Sequence, residues 1–485
     1  MVIDTNIIMR DYNKLKKLTK RSFDKAKYED ACLFMKKAAL LMYNSNIIYT
    51  DDDFEFMIDK ISAKIIKSRK FTPNKIRIVF YDYFVIDNRG LTEQYLDSLI
   101  NSNYEFFFIG CQQSKQSKEI YSKLKKYNIP FCVISDKNEI ERASHITTEI
   151  DKFSPSIVIA HTSPWDIAGL LAINSFKEKC KRFLINITDH AFWLGKSSFD
   201  YFFEFRDYGF NISRLYRKIE EEKLLKAPYY PIINNFIPFE GFDFDTSNKK
   251  IIFSGGSIYK IQGSSVFLEI VKYILDNYRD TVFLFLGSGD SNVFNKFVME
   301  NNYETRFFYR PERKDIYEVF KRCYFYLNTY PLIGGLMTQY ACIAGKLPLT
   351  LNDNNDACND IEELLLNTNE VRLQFSNIDD MKKSIDLYLS KPDVLFSDSD
   401  KLNDVIISKE KFRSLIGKYL ENQKTQIKFS KYEIDIDKFK DQYISRFNED
   451  NCTTYYRLFM SRNIKMLVNF PFYYFMCFFN KIKSK

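Results

Sequence analysis

At 485 residues, with 45% hydrophobic and 17% aromatic side chains, the chain is too long for one core and rich enough in apolar groups to exclude a disordered protein. Two or three domains are expected. Lys and Arg exceed Asp and Glu by 71 to 63, a formal charge of +8, which suits a phosphorylated small ligand or an anionic membrane surface and falls short of a nucleic-acid footprint.

Residues 12–68 read as helical. Ala31, Phe34, Met35, Ala38, Ala39 and Met42 recur at i, i+3, i+4 spacing, and Asp51–Phe54 (DDDF) supplies a helix start. Pro73 and Asn74 end this prefix, set at 1–70. Short apolar strands then alternate with helical stretches such as Thr92–Ile100 and Lys118–Lys126. The strands are expected at Ile76–Tyr81, Phe106–Ile109, Phe131–Ile134, Ile157–Ala160 and Phe183–Ile187. This alternation predicts an open parallel sheet in a Rossmann-like domain over 71–240.

Ala227–Asn248 is rich in Pro, Asn and Asp, lacks a period, and reads as a linker. A second series follows at Ile251–Phe253, Val282–Leu286, Phe307–Tyr309, Tyr324–Leu327, Leu347–Leu351 and Val371–Phe375, giving a second Rossmann-like domain over 249–391. Two such domains predict a cleft faced by the carboxyl ends of both sets of strands. The remainder, 392–485, reads as a helical tail without an acid beyond Asp450, and Met466–Phe479 (MLVNFPFYYFMCFF) is strongly aromatic with a break at Pro471. No internal repeat stands out. The nine cysteines are odd in number and never spaced CxxC, which predicts reduced thiols in a cytosol. No signal peptide is evident, and no stretch reaches the ~18–20 apolar residues of a spanning helix.

The second domain opens with IIFSGGSIYKIQG. A strand ending at Ser254, a turn through Gly255 and Gly256, and a helix from near Ser264 would bring backbone N–H groups to a phosphate, with Lys260 adding a cation. The segment TYPLIGGLMTQYACIAGK says more. A strand runs into Pro331, Gly334 and Gly335, a helix follows from Leu336 to about Ala344, and Gly345–Lys346 precedes the next strand. N–H groups of Gly335, Leu336 and Met337 with the Thr338 hydroxyl would form an anion-binding helix start. Of the three histidines, His145 reads as structural, while His161 and His190 end strands of the first domain; Asp189 adjoins His190, and the pair suits proton transfer near neutrality. Arg206 and Arg217 are further candidates. The DxD pairs Asp243/Asp245, Asp398/Asp400 and Asp435/Asp437 follow no Rossmann-type strand and read as solvated turns, so no metal site and no cofactor are expected.

The TYPLIGGLMTQYACIAGK segment resembles the nucleotide-sugar diphosphate loop of GT-B glycosyltransferases. Many retaining members carry two glutamates eight residues apart across this turn. Leu332 and Tyr340 stand there instead, which moves the likeness toward the O-linked N-acetylglucosamine transferase subset. ITDHAFWLGKSSFDYFFEFRDYG is similar to the "NHADHxFWLG…D…R" signature of a bacterial surface-polysaccharide group, and SIVIAHTSPWDIAGLLA to that group's strand ending in "HxxPxD". Of its "GGHT" loop only Gly90 and Thr92 are echoed. The resemblance implies an α/β GT-B fold, a first domain for the acceptor and a second for the donor. It implies transfer of a sugar from a nucleotide diphosphate, the co-substrate, to a hydroxyl of a cell-surface glycan or its lipid carrier. His190, Asp189 and His161 would then be catalytic, and Gly255, Gly256, Lys260, Gly334, Gly335, Leu336, Met337 and Thr338 donor-binding. A non-catalytic GT-B subunit and a GT-B sugar-nucleotide epimerase are the alternatives. The tail either packs across the domains or, over Met466–Lys485, lies on an anionic bilayer at the inner face of the cell membrane.

Overall fold

A computed structural model describes residues 2–87, 91–111, 117–233, 237–353, 356–366, 371–423, 425, 427–449 and 452–483. Gly90 lies outside them. The chain divides into two compact units, Met1–Ala227 with Arg413–Lys485, and Pro228–Phe412.

The first unit opens on helices α1 (Thr5–Asp24), α2 (Tyr28–Ser45) and α3 (Asp52–Ile65). Asp4 caps α1 by accepting from the Ile7 N–H at 2.8 Å, and Asp51 caps α3 through Asp53 and Phe54 at 3.0 and 3.1 Å; such caps contribute about 1 kcal/mol each. There follow β1 (Asn74–Asp82), α4 (Thr92–Ile100), β2 (Glu105–Gly110), α5 (Lys118–Lys126), β3 (Phe131–Val133), α6 (Glu139–Phe153), β4 (Pro155–His161), α7 (Ile167–Asn174), β5 (Lys181–Asn186), β6 (Tyr201–Glu204), α8 (Asp207–Leu215) and β7 (Leu224–Lys226). All seven strands are parallel, in the order β3-β2-β1-β4-β5-β6-β7. Ile78–Tyr81 and Ile157–Ala160 are buried on both faces, which is why they read as unbroken apolar runs. β6 and β7 extend the sheet beyond the expected strands. They are four and three residues long, too short for a period to show.

In the second unit the linker wraps its own domain, with Phe239, Phe242 and Phe244 packed on one face of the sheet. Then come β8 (Lys250–Ser257), α9 (Val266–Asn277), β9 (Thr281–Ser288), α10 (Asn292–Asn301), β10 (Phe307–Arg310), α11 (Ile316–Arg322), β11 (Phe325–Leu327), α12 (Gly335–Ile343), β12 (Pro348–Leu351), β13 (Gln374–Phe375), α13 (Ile378–Ser390) and α14 (Pro392–Asp400). The strands are again all parallel, ordered β10-β9-β8-β11-β12-β13. Alternate side chains divide between two cores: Ile252, Phe283 and Phe285 face one, Phe253, Leu284 and Leu286 the other.

Helix α15 (Lys409–Leu420) carries the chain back to the first unit, which α16 (Asp437–Glu449), α17 (Thr453–Leu458), α18 (Ile464–Asn469) and α19 (Pro471–Lys483) complete. Tyr419 donates to the Lys226 carbonyl at 2.8 Å, and Asn448 exchanges two hydrogen bonds with the Ile3 backbone at 2.7 and 2.9 Å. The expected prefix is likewise no separate body. Ser62 of α3 donates to the Leu171 carbonyl at 2.7 Å, and one core runs from Ile3 to Tyr473. Only α14 of the expected tail stays wholly with the second sheet.

The glycine pair is placed differently from expectation. β8 runs on through Gly255 and Gly256 to Ser257, so these residues are strand and not turn. Gly256 pairs with Gly287, and a Cβ on Gly287 would lie 1.8 Å from the Gly256 carbonyl oxygen. Gly287→Ala should therefore overpack the β8–β9 contact and destabilise the protein by about 3 kcal/mol in urea unfolding; an unchanged midpoint would refute this packing.

Candidate functional site

In an open parallel sheet the strand ends diverge where the order of strands reverses, leaving a crevice at their carboxyl edge. Here the reversals lie between β1 and β4 and between β8 and β11.

At the second reversal, Gly256 has φ of 132°, a value that favours glycine. A Cβ on Gly255 would meet Met337 Cε at 3.0 Å and the Leu286 carbonyl oxygen at 2.8 Å, so the bare backbone lets α12 approach. Lys260 follows in a single helical turn. Its ammonium donates to the Ile333 carbonyl at 2.8 Å, and its own carbonyl accepts from the Leu332 N–H at 3.2 Å. Both bonds tie the end of β8 to the turn before α12. The turn is closed by Asn328, a buried residue absent from the sequence reading. Its Oδ1 accepts from the Thr329 and Gly334 N–H groups at 3.0 and 2.9 Å, while its Nδ2 donates to the hydroxyls of Thr338 and Thr350 at 3.0 and 3.1 Å. The Thr338 hydroxyl donates to the Gly334 carbonyl at 3.1 Å. Thr338 thus fixes the helix start and does not offer a ligand atom. No side chain caps α12, so the N–H groups of Gly335, Leu336 and Met337 form its positive end. Tyr340 donates to the Ile232 carbonyl at 2.6 Å and anchors the linker.

At the first reversal, Asp82 and His161 are register partners at the ends of β1 and β4. His161 Nδ1 lies 3.0 Å from Asp82 Oδ1, and both side chains are buried. Asp82 also accepts from the Thr92 hydroxyl at 2.6 Å and from the Phe84 and Val85 N–H groups at 2.9 and 3.1 Å. Burial works to raise this carboxyl, but His161, Thr92 and the backbone donors hold it below the ordinary range. His161 Nε2 is buried without a partner among the described residues. Such an atom needs a donor or acceptor from outside the fold.

Beyond β5, Asp189 and His190 form a second pair, with His190 Nδ1 3.2 Å from Asp189 Oδ1. Arg206 grips the carboxylate from its other side, Nε to Oδ2 at 2.6 Å and a terminal nitrogen to Oδ1 at 3.2 Å. Burial again opposes ionisation, and Arg206 and His190 overcome it, holding Asp189 down at about 2. A fixed carboxylate on Nδ1 leaves Nε2 of a neutral imidazole as the proton acceptor. The His190 side chain is 30% exposed. Arg217 donates to the carbonyls of Asp189 and Ala191 at 3.0 and 2.6 Å and shapes the loop; burial lowers it to about 10. His145 pairs with Asp136 at 2.9 Å on α6, away from both pairs in the chain. The aspartates of the DxD pairs serve other ends: Asp243 binds Arg310 at 2.7 Å, Asp398 binds Lys401 at 2.9 Å and Asp435 accepts from the Asp437 N–H at 3.0 Å. Among the described residues no group of three or more His, Cys, Asp or Glu side chains is placed to hold a metal ion.

No family model matches the sequence, and no curated protein does. Solved structures do match. A mutant O-GlcNAc transferase from Thermobaculum terrenum aligns at 13% identity with a TM-score of 0.52, covering 89% of this chain and 82% of that one. A glycosyltransferase from Rickettsia africae aligns at 14% identity and a TM-score of 0.55, over 72% of this chain and 98% of that one. Anabaena HepE in complex with UDP and glucose gives 10% and 0.53, over 72% and 100%. At such identities the likeness is one of fold. The fold is GT-B.

Within this GT-B chain the two sites make separate predictions. Asn328→Ala would leave the Gly334 and Thr329 N–H groups without their buried acceptor, at a cost of about 2 kcal/mol, and should lower the urea midpoint. The second concerns Glu204 at the end of β6, fully buried beside Asp189. It accepts from Asn186 Nδ2 at 2.9 and 3.0 Å and from Ser213 at 2.6 Å. Burial pushes it up to about 7 against the pull of Arg217 and these donors. A carboxyl raised on folding favours the native state most below its unfolded value, and that benefit is lost as pH rises toward the folded one. Stability should therefore fall by roughly 3 kcal/mol between pH 4.5 and 7 through this group, and Glu204→Gln should flatten the slope in urea unfolding across that range. Asp189, lowered on folding, acts in the opposite sense and loses its stabilisation only as pH falls toward 2.

Proposed function

We propose that this chain is a glycosyltransferase that moves a sugar from a nucleotide diphosphate-sugar to a hydroxyl acceptor. The observation that carries the reading is the uncapped start of α12, held open by Asn328 and braced against Lys260. It presents three aligned N–H groups and a helix dipole, which suit a diphosphate, at the strand-order reversal where such ligands bind. HepE, of the same fold, is seen with UDP and glucose.

In this reading Gly255, Gly256, Gly334, Gly335, Leu336, Met337 and Lys260 form the donor site. His190 Nε2 takes the proton of the acceptor hydroxyl, whose oxygen bonds to the anomeric carbon. The bond from that carbon to the diphosphate breaks, and the electron pair leaves on the diphosphate oxygen. The dipole and N–H groups of α12 stabilise the departing charge without calling on a resident metal or cofactor. Asp189 positions the imidazole and stabilises it once protonated. His161, whose buried Nε2 has no partner among the described residues, would serve the acceptor in this reading. We assign the acceptor to the cell-surface glycans or their lipid carriers, and the reaction to the cytoplasm, where a chain rich in cysteine thiols is at home.

A UDP-N-acetylglucosamine 2-epimerase shares the fold, with a TM-score of 0.52 and 11% identity over 75% of this chain and 100% of that one, and gives epimerisation as a second reading. That chemistry requires acids and bases at the sugar ring. Asp189 is locked by Arg206, and Glu204 is enclosed by Asn186 and Ser213, so neither carboxyl is free to serve.

The test is a screen of UDP-, GDP- and dTDP-sugars, followed by two variants. His190→Ala should lower transfer by about 10²–10⁴ while nucleotide affinity stays within a few-fold. Gly335→Asp should weaken nucleotide diphosphate binding at least ~10-fold by setting a carboxylate at the anion site, where an acid is otherwise compatible with a helix start. Full activity in both would sink the assignment, and sugar-nucleotide interconversion without an acceptor would establish the epimerase.

A further inference from the structure

The C-terminal helices of the first unit carry a surface that transfer chemistry does not use. The chain breaks at Phe470–Pro471 into α18 and α19, each with one face buried: Met466, Phe470 and Tyr473 enter the core. The opposite face is bare. Ile464, Leu467, Val468, Phe472, Phe475 and Phe478 are 69, 41, 70, 50, 63 and 67% exposed. Scattered apolar side chains are normal on a protein surface, but six large ones within fifteen residues mark a surface with a partner.

What covers it is indicated by α1, on which these helices pack. Tyr473 accepts from Arg10 at 3.1 Å, Lys14 donates to the Asn469 carbonyl, and the Lys14 ammonium lies 4.6 Å over the Phe470 ring. While Ile8, Tyr12, Leu15 and Thr19 turn inward, Arg10, Lys14, Lys17, Arg21 and Lys25 recur at intervals of four, three, four and four residues, all exposed. Arg10 and Lys14 bring one end of this exposed cation row to the break between α18 and α19. Near its other end Lys17, Lys20, Arg21, Asp24 and Lys25 line a shallow concavity of about 330 Å³, large enough for a phosphate headgroup.

We propose that α1, α18 and α19 form a docking surface for an anionic lipid bilayer, with the aromatic and aliphatic side chains in the acyl boundary and the α1 cations on headgroup phosphates. Such a bilayer supplies both complements at once, apolar depth and negative charge. A second copy of this chain would offer the apolar face but only further cations at its edge. Among the described residues no helix is long and apolar enough to cross a membrane, so the attachment is interfacial. The surface uses none of the residues assigned to transfer and stands or falls independently of that reading.

The experiment is flotation of the full chain with phosphatidylcholine vesicles, with and without about one-third phosphatidylglycerol. Partitioning should require the anionic lipid and weaken as salt is added. Lys17→Gln with Arg21→Gln should reduce it roughly 25-fold, about five-fold for each cation removed. Phe475→Ser with Phe478→Ser should abolish it. Both positions are exposed, and the charge variant, which leaves the apolar face intact, tests the idea even if the aromatic one folds poorly. Equal binding to neutral vesicles, or partitioning unchanged in the charge variant, would overturn the proposal. So would self-association that the aromatic replacements remove in a chain that does not float.

Discussion

Two all-parallel sheets impose one constraint from which the rest follows. A strand that is to be parallel to its neighbour must be reached by a crossover, so every segment leaving a strand starts from the same edge. The thirteen strands among the described residues, in two such sheets, gather the loop after each strand at one edge of its own unit. In the first unit that edge receives Asp82, His161, Asp189 and His190, and in the second Gly256, Lys260, Asn328 and Gly334. Residues far apart in sequence become neighbours there because the topology leaves them nowhere else to go.

The two edges solve different electrostatic problems. The second is nearly free of acids at its helix start, where the positive groups are backbone N–H groups positioned by one amide. An amide side chain suits that task because it accepts and donates at once without adding charge. The first edge buries carboxylates, and it does so by sharing cations. Arg206 neutralises Asp189, while Arg217, buried below it, binds backbone carbonyls and faces Glu204 electrostatically. One of two neighbouring acids is held ionised by Arg206, while burial, helped to a lesser degree by the Asp189 charge, drives the other toward its neutral form. Gly209 makes the arrangement possible, since a Cβ there would meet Glu204 Oε2 at 2.6 Å and Asp189 Cβ at 2.8 Å.

The fold was largely legible because buried parallel strands leave an unmistakable trace. Runs such as Ile78–Tyr81 and Phe283–Leu286 are apolar on both faces, and β11, α12 and β12 fall within about two residues of their expected limits. The short strands β6 and β7 left no such trace. The site was legible in part. His161 and Asp189–His190 stood out because histidine is rare here and strand ends are where ligands bind. Gly255–Gly256 was read as a turn, for a glycine that bends the chain and a glycine that admits a neighbouring strand look alike until Gly287 is seen opposite. Asp82 and Asn328 escaped notice because their importance lies in partners ten to eighty residues distant, a property of the folded chain alone. The division into units hid for the same reason: helical periodicity says that a helix buries a stripe, not which sheet receives it.

The first unit is assembled from both ends of the chain, with the whole second unit set between Ala227 and Arg413. During synthesis the residues 228–412 emerge and can complete their sheet while the earlier unit still lacks α16 to α19. The unit begun first is therefore finished last. α2 and α3 cover part of α1 early, through contacts such as the Tyr12 hydroxyl on Asp51 and the Tyr12 ring on Phe54. Asn448 and Tyr455 reach Ile3 and Asp11 only once the last helices are made, and until then the rest of α1 stays uncovered. Its outward row of lysines and arginines is suited to that interval, because a strongly charged helix resists premature association.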